Sequence, residues 1–337
     1  MKLLLIKRGA LGDVLMTTPL IRQLRANNKD AQIDYCISKA CAATLKDNPY
    51  IDNIISLDDL VFSARGIIKL FKFLVSIRKK YDYIFILGKN WQVNLLCKIT
   101  GSRLVGFARE KISKLLLNKF VLYNDVSRYQ VLYYLDLLQC SGLGTVDYSD
   151  IKMDLQVSIT DKLIVNKELK LLDLGKFIVI TNSGGNNQFE HTGIRMLPED
   201  KILLLLEKVS KLCPIILLGS AIEEDIYNSY IQTLRAYDIS NIINFSGKLS
   251  ISQSVHLLSL AESFYVTDCG AMHFGLIAGI EGKMTCLFGP TCPWHILPKD
   301  TKCNVVWTDQ DIFDESYQLY GKIKKNNKYF TKINIKI

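Results

Sequence analysis

The sequence predicts an α/β chain of two Rossmann-like domains in series, and three observations carry that expectation. Short apolar runs alternate with amphipathic stretches from end to end, the pattern of βα units feeding parallel sheets. Two such series flank a strandless polar region around residues 144–175, the natural place for a linker. The length, 337 residues, is enough for two domains of roughly 150 residues, each with its own core.

The elements follow in order. Strands are expected near 2–7, 32–37, 53–57, 83–88 and 103–107, with helical periodicity at 13–26, 65–80 and 128–140. In the second series strands are expected near 177–181, 214–218, 241–245, 264–267 and 284–288. Helices are expected there at 198–211, 222–236, 251–261 and 271–279. This divides the chain into domains at 1–165 and 170–310 and a terminal segment, 311–337. The opening apolar run stops at Lys7-Arg8, too short for the core of a signal peptide, so it is a first strand. Glu207, Lys208 and Lys211 interrupt the apolar stretch Ile202 to Leu218, which rules it out as a membrane span. Nine scattered cysteines with no CxxC pair suit free thiols in a reducing cytosol.

Charge is distributed unevenly. Residues 1–165 hold 24 Lys and Arg against 15 Asp and Glu, and the remainder holds 18 against 18, so the whole net charge of +9 lies in the first part. Residues 65–119 alone carry 13 basic and 2 acidic side chains, which points to an anionic partner for one domain. On a helix over 65–80, Arg65, Lys69, Lys72, Lys79 and Lys80 fall on one side, with Ile67, Leu70, Phe71 and Leu74 on the other. That stripe is either a solvated face or a binding surface. Nucleic acid is disfavoured as its partner, because regular aromatic interleaving, a helix-turn-helix and a zinc signature are all missing.

Four segments could carry chemistry. Gly9-Ala10-Leu11-Gly12-Asp13 lies between the first strand and its helix, where free N–H groups meet a ligand; Asp13 is either the helix N-cap or a functional carboxylate. No GxGxxG is present, which weighs against a dinucleotide oxidoreductase. Asp268-Cys269-Gly270 ends a strand and opens a helix that holds His273 one turn in, a place where backbone amides can grip a diphosphate. Asn182-Ser183-Gly184-Gly185 with nearby Arg195 suits phosphate. The fourth segment, Leu287-Phe288-Gly289-Pro290-Thr291, is by itself a loop signal.

Together, in this order and spacing, these segments resemble the heptosyltransferase family of bacterial glycosyltransferases. The run Gly9-Ala10-Leu11-Gly12-Asp13-Val14-Leu15-Met16-Thr17-Thr18-Pro19-Leu20 is similar to that family's opening motif, and the resemblance extends to Asp268-Cys269-Gly270-Ala271-Met272-His273 and Gly289-Pro290-Thr291. The resemblance implies a GT-B fold, with an N-terminal acceptor domain and a C-terminal nucleotide-sugar domain facing a central cleft. A helix over 310–323 would pack back on the first domain. It also implies an inverting transfer of heptose from ADP-heptose to an acidic sugar of the lipopolysaccharide inner core.

Residue by residue, Asp13 matches the base, and Gly12 with Arg65, Lys69 and Lys72 would face the acceptor. Arg195 stands where the family places a donor-phosphate Lys, three residues before Pro198. Ser183, Gly184, Asp268, Cys269, Gly270 and His273 would line the diphosphate. Leu249 would touch adenine, and Glu223 or Glu224 a ribose hydroxyl. Cys269 departs from the family's Thr or Ser, since a thiol is a weaker donor than a hydroxyl, and the loop 184–194 is longer than the family pattern. No DxD pair stands out, as Asp58-Asp59 lacks the spacing, so neither metal nor other cofactor is expected. The enzyme is expected in the cytoplasm, with a peripheral contact to the inner face of the membrane. An enzyme of the same fold using another nucleotide sugar or glycan acceptor is the alternative.

Overall fold

The computed structural model describes residues 1–58, 61, 66–184, 192–313, 315, 328–333 and 335. The chain divides into two compact units, Met1–Gln156 and Val157–Ile337. In the first, β1 (Lys2–Lys7), β2 (Gln32–Ser38), β3 (Asn53–Leu57), β4 (Tyr83–Ile86), β5 (Arg103–Ala108) and β6 (Lys119–Leu122) form a sheet in the order β3-β2-β1-β4-β5-β6. Every pairing is parallel. Helices cover both faces of such a sheet, so its central strands carry unbroken apolar runs: Leu3, Leu4 and Leu5 of β1 are all fully buried.

The second unit repeats this winding. Its strands are β7 (Ile178–Thr181), β8 (Ile215–Leu217), β9 (Ile242–Asn244), β10 (Ser263–Thr267), β11 (Met284–Phe288) and β12 (Asn304–Trp307), ordered β12-β11-β10-β7-β8-β9. Strand order reverses between β1 and β4 in one unit and between β7 and β10 in the other. Such switch points open a crevice at the carboxyl ends of the strands, where ligands bind in open α/β sheets.

Several elements differ from the sequence expectation. The helix expected over 13–26 is two helices, Leu11–Leu15 and Thr18–Asn27. At the break the Thr17 and Thr18 hydroxyls donate back to the Val14 and Leu15 carbonyls, each at 2.7 Å. Strands β6 and β12 escape the pattern: both are sheet edges, mostly exposed or half-buried, with only the short apolar runs Phe120-Val121-Leu122 and Val305-Val306-Trp307.

The polar region around 144–175 is anchored along most of its length. Arg22 binds Asp150 at 2.7 Å and also Asp154, and Gln23 holds the Asp147 carbonyl at 2.8 Å. Beyond them the helix Ile159–Leu171 packs on the helix Ile251–Ser259, where Ser252 donates to Asp161 at 3.0 Å and His256 meets Asn166 at 3.0 Å. Only Val165 and Leu169 of that helix are buried, so its periodicity is faint.

The helix expected over 310–323 falls mainly outside the described residues. Past it, Tyr329, Phe330 and Ile333 enter the core of the second unit, and the Phe330 N–H donates to Asp309 at 2.7 Å. Gly289 lies so close under the Phe330 ring that a Cβ there would meet it at 2.7 Å.

Candidate active site

In the first unit, β1 ends at Lys7 and the chain turns through Gly9 into the helix Leu11–Leu15. Gly9 has φ +155°, and a Cβ at that position would stand 2.7 Å from the Cys41 thiol, so the tight turn requires glycine. Ala10, not Asp13, is the N-cap, and it makes no side-chain cap bond. Asp13 sits in the first helical turn, with its carboxylate 43% exposed and accepting from Lys7 Nζ at 2.9 Å. Lys7 is only 6% exposed. Burial alone would push its ammonium toward the neutral form, but attraction to Asp13, helped by Tyr134, outweighs this and holds it charged.

Across the switch point, three residues past β4, lies a second cation. Lys89 donates to the Tyr123 hydroxyl at 2.5 Å and sits 4.0 Å from that ring's centroid. The Tyr123 hydroxyl in turn donates to Gln130 at 2.8 Å. Burial pushes Lys89 down to about 7; Asp13 opposes the shift, and Lys7 and Arg109 add to it. Arg109 is itself paired with Glu110 at 2.7 Å. The half-exposed Asp13 carboxylate is thus bound by Lys7 with Lys89 close by, a setting that accepts an anionic ligand.

In the second unit the loops after β7, β8, β10 and β11 converge. Asp268, following β10, is buried; its Oδ2 accepts from Arg195 at 3.1 Å and from the Thr291 hydroxyl at 2.6 Å. Thr267 stitches β10 to the β7 loop, as its hydroxyl accepts from the Ser183 N–H at 2.9 Å and donates to the Ser183 carbonyl at 2.7 Å. The Ser183 hydroxyl reaches Glu223 at 2.8 Å, and the other oxygen of Glu223 accepts from Ser220 N–H and hydroxyl at 2.8 and 2.6 Å. Gly247, at φ +68°, packs so closely on Ala221 that a Cβ there would meet the Ala221 Cβ at 3.0 Å, and its N–H donates to the Gly219 carbonyl, which brings the loop bearing Leu249 against the turn of Glu223. Cys269 caps the helix Gly270–Ile277, and burial pushes its thiol up to about 12, so it remains a neutral SH. Among the described residues no three His, Cys, Asp or Glu side chains cluster as metal ligands.

The sequence model of glycosyltransferase family 9 (heptosyltransferase) matches residues 69–317. This chain belongs to that family. The transferase is 24% identical over 316 residues to lipopolysaccharide heptosyltransferase 2 of Salmonella typhimurium, covering 91% of this chain and 88% of the relative. The solved structure of Escherichia coli ADP-heptose lps heptosyltransferase II superimposes with a TM-score of 0.72 at 21% identity, covering 95% and 97% of the two chains. A family 9 glycosyl transferase from Veillonella parvula gives 0.74 at 18% identity, covering 94% and 90%. The fold of the transferase is therefore GT-B.

Of the sequence-derived site residues, Ser183 pairs with Glu223 and Arg195 with Asp268, the two pairs joined where Thr267, next to Asp268 in the chain, bonds Ser183; Gly184, Cys269, Gly270 and the buried His273 lie on the same loops or the helix that follows. Of the two neighbouring glutamates, Glu223 bonds Ser183, whereas Glu224 is exposed and opens the next helix. Arg65 lies outside the described residues, as do 185–191 of the long loop. Lys69 and Lys72 are exposed on the helix Ile67–Ser76. That helix corrects its sequence assignment: Leu70 and Leu74 are buried as expected, whereas Ile67 and Phe71 are exposed.

Lys7, Lys89 and Arg109 escaped the sequence, whereas Thr291 lay in a motif singled out there without a role. Lys7 registers there only as the end of an apolar run, and a lysine at a strand's carboxyl end beside a glycine turn is the signal that could have found it. Lys89 carries no spacing relation to Asp13, and only the sheet order brings it near Asp13 and brings Arg109 near Lys89.

Proposed function

We propose that this transferase moves heptose from ADP-heptose to an acidic sugar of the lipopolysaccharide inner core, with inversion and without a metal. The observation that carries this reading is the half-exposed Asp13 carboxylate, held by the buried Lys7 at the switch point of the first sheet. Asp13 takes the proton from the acceptor hydroxyl as that oxygen attacks the anomeric carbon. Charge building on the departing ADP is met by Arg195, which Asp268 holds in place, and by the amides opening the helix Gly270–Ile277. Glu223 accepts from a ribose hydroxyl, Leu249 packs on adenine, and Ser183, Gly184 and His273 line the diphosphate. Gly12, Arg65, Lys69 and Lys72 face the acceptor in residues 1–165, while residues 170–310 hold the donor. The work is done in the cytoplasm, at the membrane's inner face. The names of the Salmonella relative and of the Escherichia coli structure support both donor and acceptor class.

The direct test supplies ADP-heptose and purified inner-core acceptors truncated at successive sugars. One truncation gains one heptose and releases ADP. Failure with every inner-core acceptor, alongside transfer of another sugar, overturns the reading. With Arg195 and helix amides facing the leaving group, the rate is expected to be unchanged in excess EDTA, and an absolute need for Mg²⁺ would remove that part of the mechanism.

Lys89 adds a pH dependence. Its charge is present below about 7 and lost above it, so the KM for an anionic acceptor is expected to rise several-fold as pH is raised through that value. Lys89→Met should give a high, flat acceptor KM, and Lys89→Arg a low, flat one. An identical pH profile in Lys89→Met would take Lys89 out of acceptor recognition.

A further inference from the structure

The helix Ile67–Ser76 is part of a larger exposed surface. Its buried residues are Leu70 and Leu74. Ile67, Phe71 and Val75, one turn apart, form an apolar flank that faces solvent, and Ile68 beside them is 67% exposed. The helices Trp91–Cys97 and Lys111–Leu116 pack alongside over one shared core beneath the same face of the sheet. They add Leu95 and Leu115, the latter 83% exposed. The face continues onto edge strand β6: Phe120 pairs in register with Gly106, whose side of the sheet is that of the buried Leu104, and Phe120 and Leu122 are both exposed. Exposed lysines 69, 72, 98, 111, 114 and 119 are interleaved with these side chains, and the three helices contain no acidic residue.

We propose that this face docks on an anionic lipid bilayer. A contiguous exposed apolar surface marks an interaction site, and its chemistry selects the occupant. Protein interfaces are depleted in lysine at their centres. A second copy would have to set this basic face against itself or against a complementary patch elsewhere. Nucleic acid asks for stacking aromatic rings, whereas isoleucine, leucine and valine dominate here. Aliphatic side chains that enter the acyl boundary, with lysine stems reaching back to anionic headgroups, match a bilayer surface. The half-buried Trp91, at the start of its helix, suits the headgroup level. The inference deepens the proposed function, in which the acceptor is anchored in a membrane, and rests on that reading only for what the lipid carries.

Co-sedimentation of the full chain with vesicles tests it without using the transfer reaction. The protein should bind phosphatidylcholine vesicles containing phosphatidylglycerol at least tenfold more tightly than pure phosphatidylcholine, and high salt should weaken that binding. The double variant Ile68→Ser, Leu115→Ser alters two exposed side chains, so its thermal melt and ADP binding should match wild type while vesicle affinity falls about tenfold. Equal binding by the double variant, or equal binding to both vesicle types, overturns the proposal. So does retention on single-stranded RNA without vesicle binding, or a solution dimer that the double variant dissociates. If vesicles bind but ADP-heptose is never used, the surface stands and the transfer reading alone fails.

Discussion

Asp13→Asn is expected to lower kcat by about 10²–10⁴-fold, the range over which a positioned general base contributes, while ADP-heptose binding stays intact. The amide keeps the shape of the side chain and can still meet Lys7, but it cannot take a proton. The substitution also has a folding consequence. Lys7 is buried and charged because Asp13 is there, so a neutral partner leaves a cation poorly compensated. Breaking a buried pair costs about 3–5 kcal/mol; with the Asp13 side chain 43% exposed and partly screened, about 1–3 kcal/mol is the expectation here. Combining Lys7→Met with Asp13→Asn should recover much of that stability, read by denaturant titration, and none of the turnover. Turnover within tenfold of wild type in Asp13→Asn would remove Asp13 as the base. Recovery of turnover in the double variant would mean that the single substitution acted only through the fold.

Arg195→Ala is expected to lower kcat/KM by about 10²-fold, comparable to the loss of one donor that stabilises a developing anion. The guanidinium is held by Asp268, whose carboxylate also accepts from Thr291, so it is fixed in place before the substrate arrives. Arg195→Lys should restore the charge but not the fork, and so recover only part of the loss. Steady-state kinetics with donor and acceptor varied separately checks this. The defect should appear in kcat and in the donor term, with the acceptor KM close to wild type. Unchanged kinetics in Arg195→Ala would leave the helix amides after Asp268 as the only proposed support for the leaving diphosphate.

Much of the second unit's site is legible in the chain because its residues sit where strands end. Asp268 follows an apolar run and precedes a small-residue helix; Ser183 and Gly184 follow another. In a parallel sheet every such end points to the same edge. The central strands are legible for a related reason: burial on both faces leaves unbroken apolar runs such as Leu3-Leu4-Leu5-Ile6. Edge strands β6 and β12 have only short, largely unburied apolar runs, and the helix Ile159–Leu171 buries only two side chains, so none of the three leaves a clear signal.

Residue pattern alone established the α/β class, the two series of βα units, the concentration of positive charge in the first of them, and the loops that carry Asp13 and Asp268. Periodicity and strand-end position are local properties, and the chain states them directly. Which cations gather beside Asp13 and Lys89 depended on how the strands are ordered. Lys7, Lys89 and Arg109 come from three strand ends that become neighbours through the order β1-β4-β5. The tertiary structure alone also showed that Ile67 and Phe71 face solvent. A helical wheel places them beside Leu70 and Leu74, but the sheet beneath is wide enough to cover only part of that apolar arc, and what remains uncovered is decided by packing between elements distant in sequence.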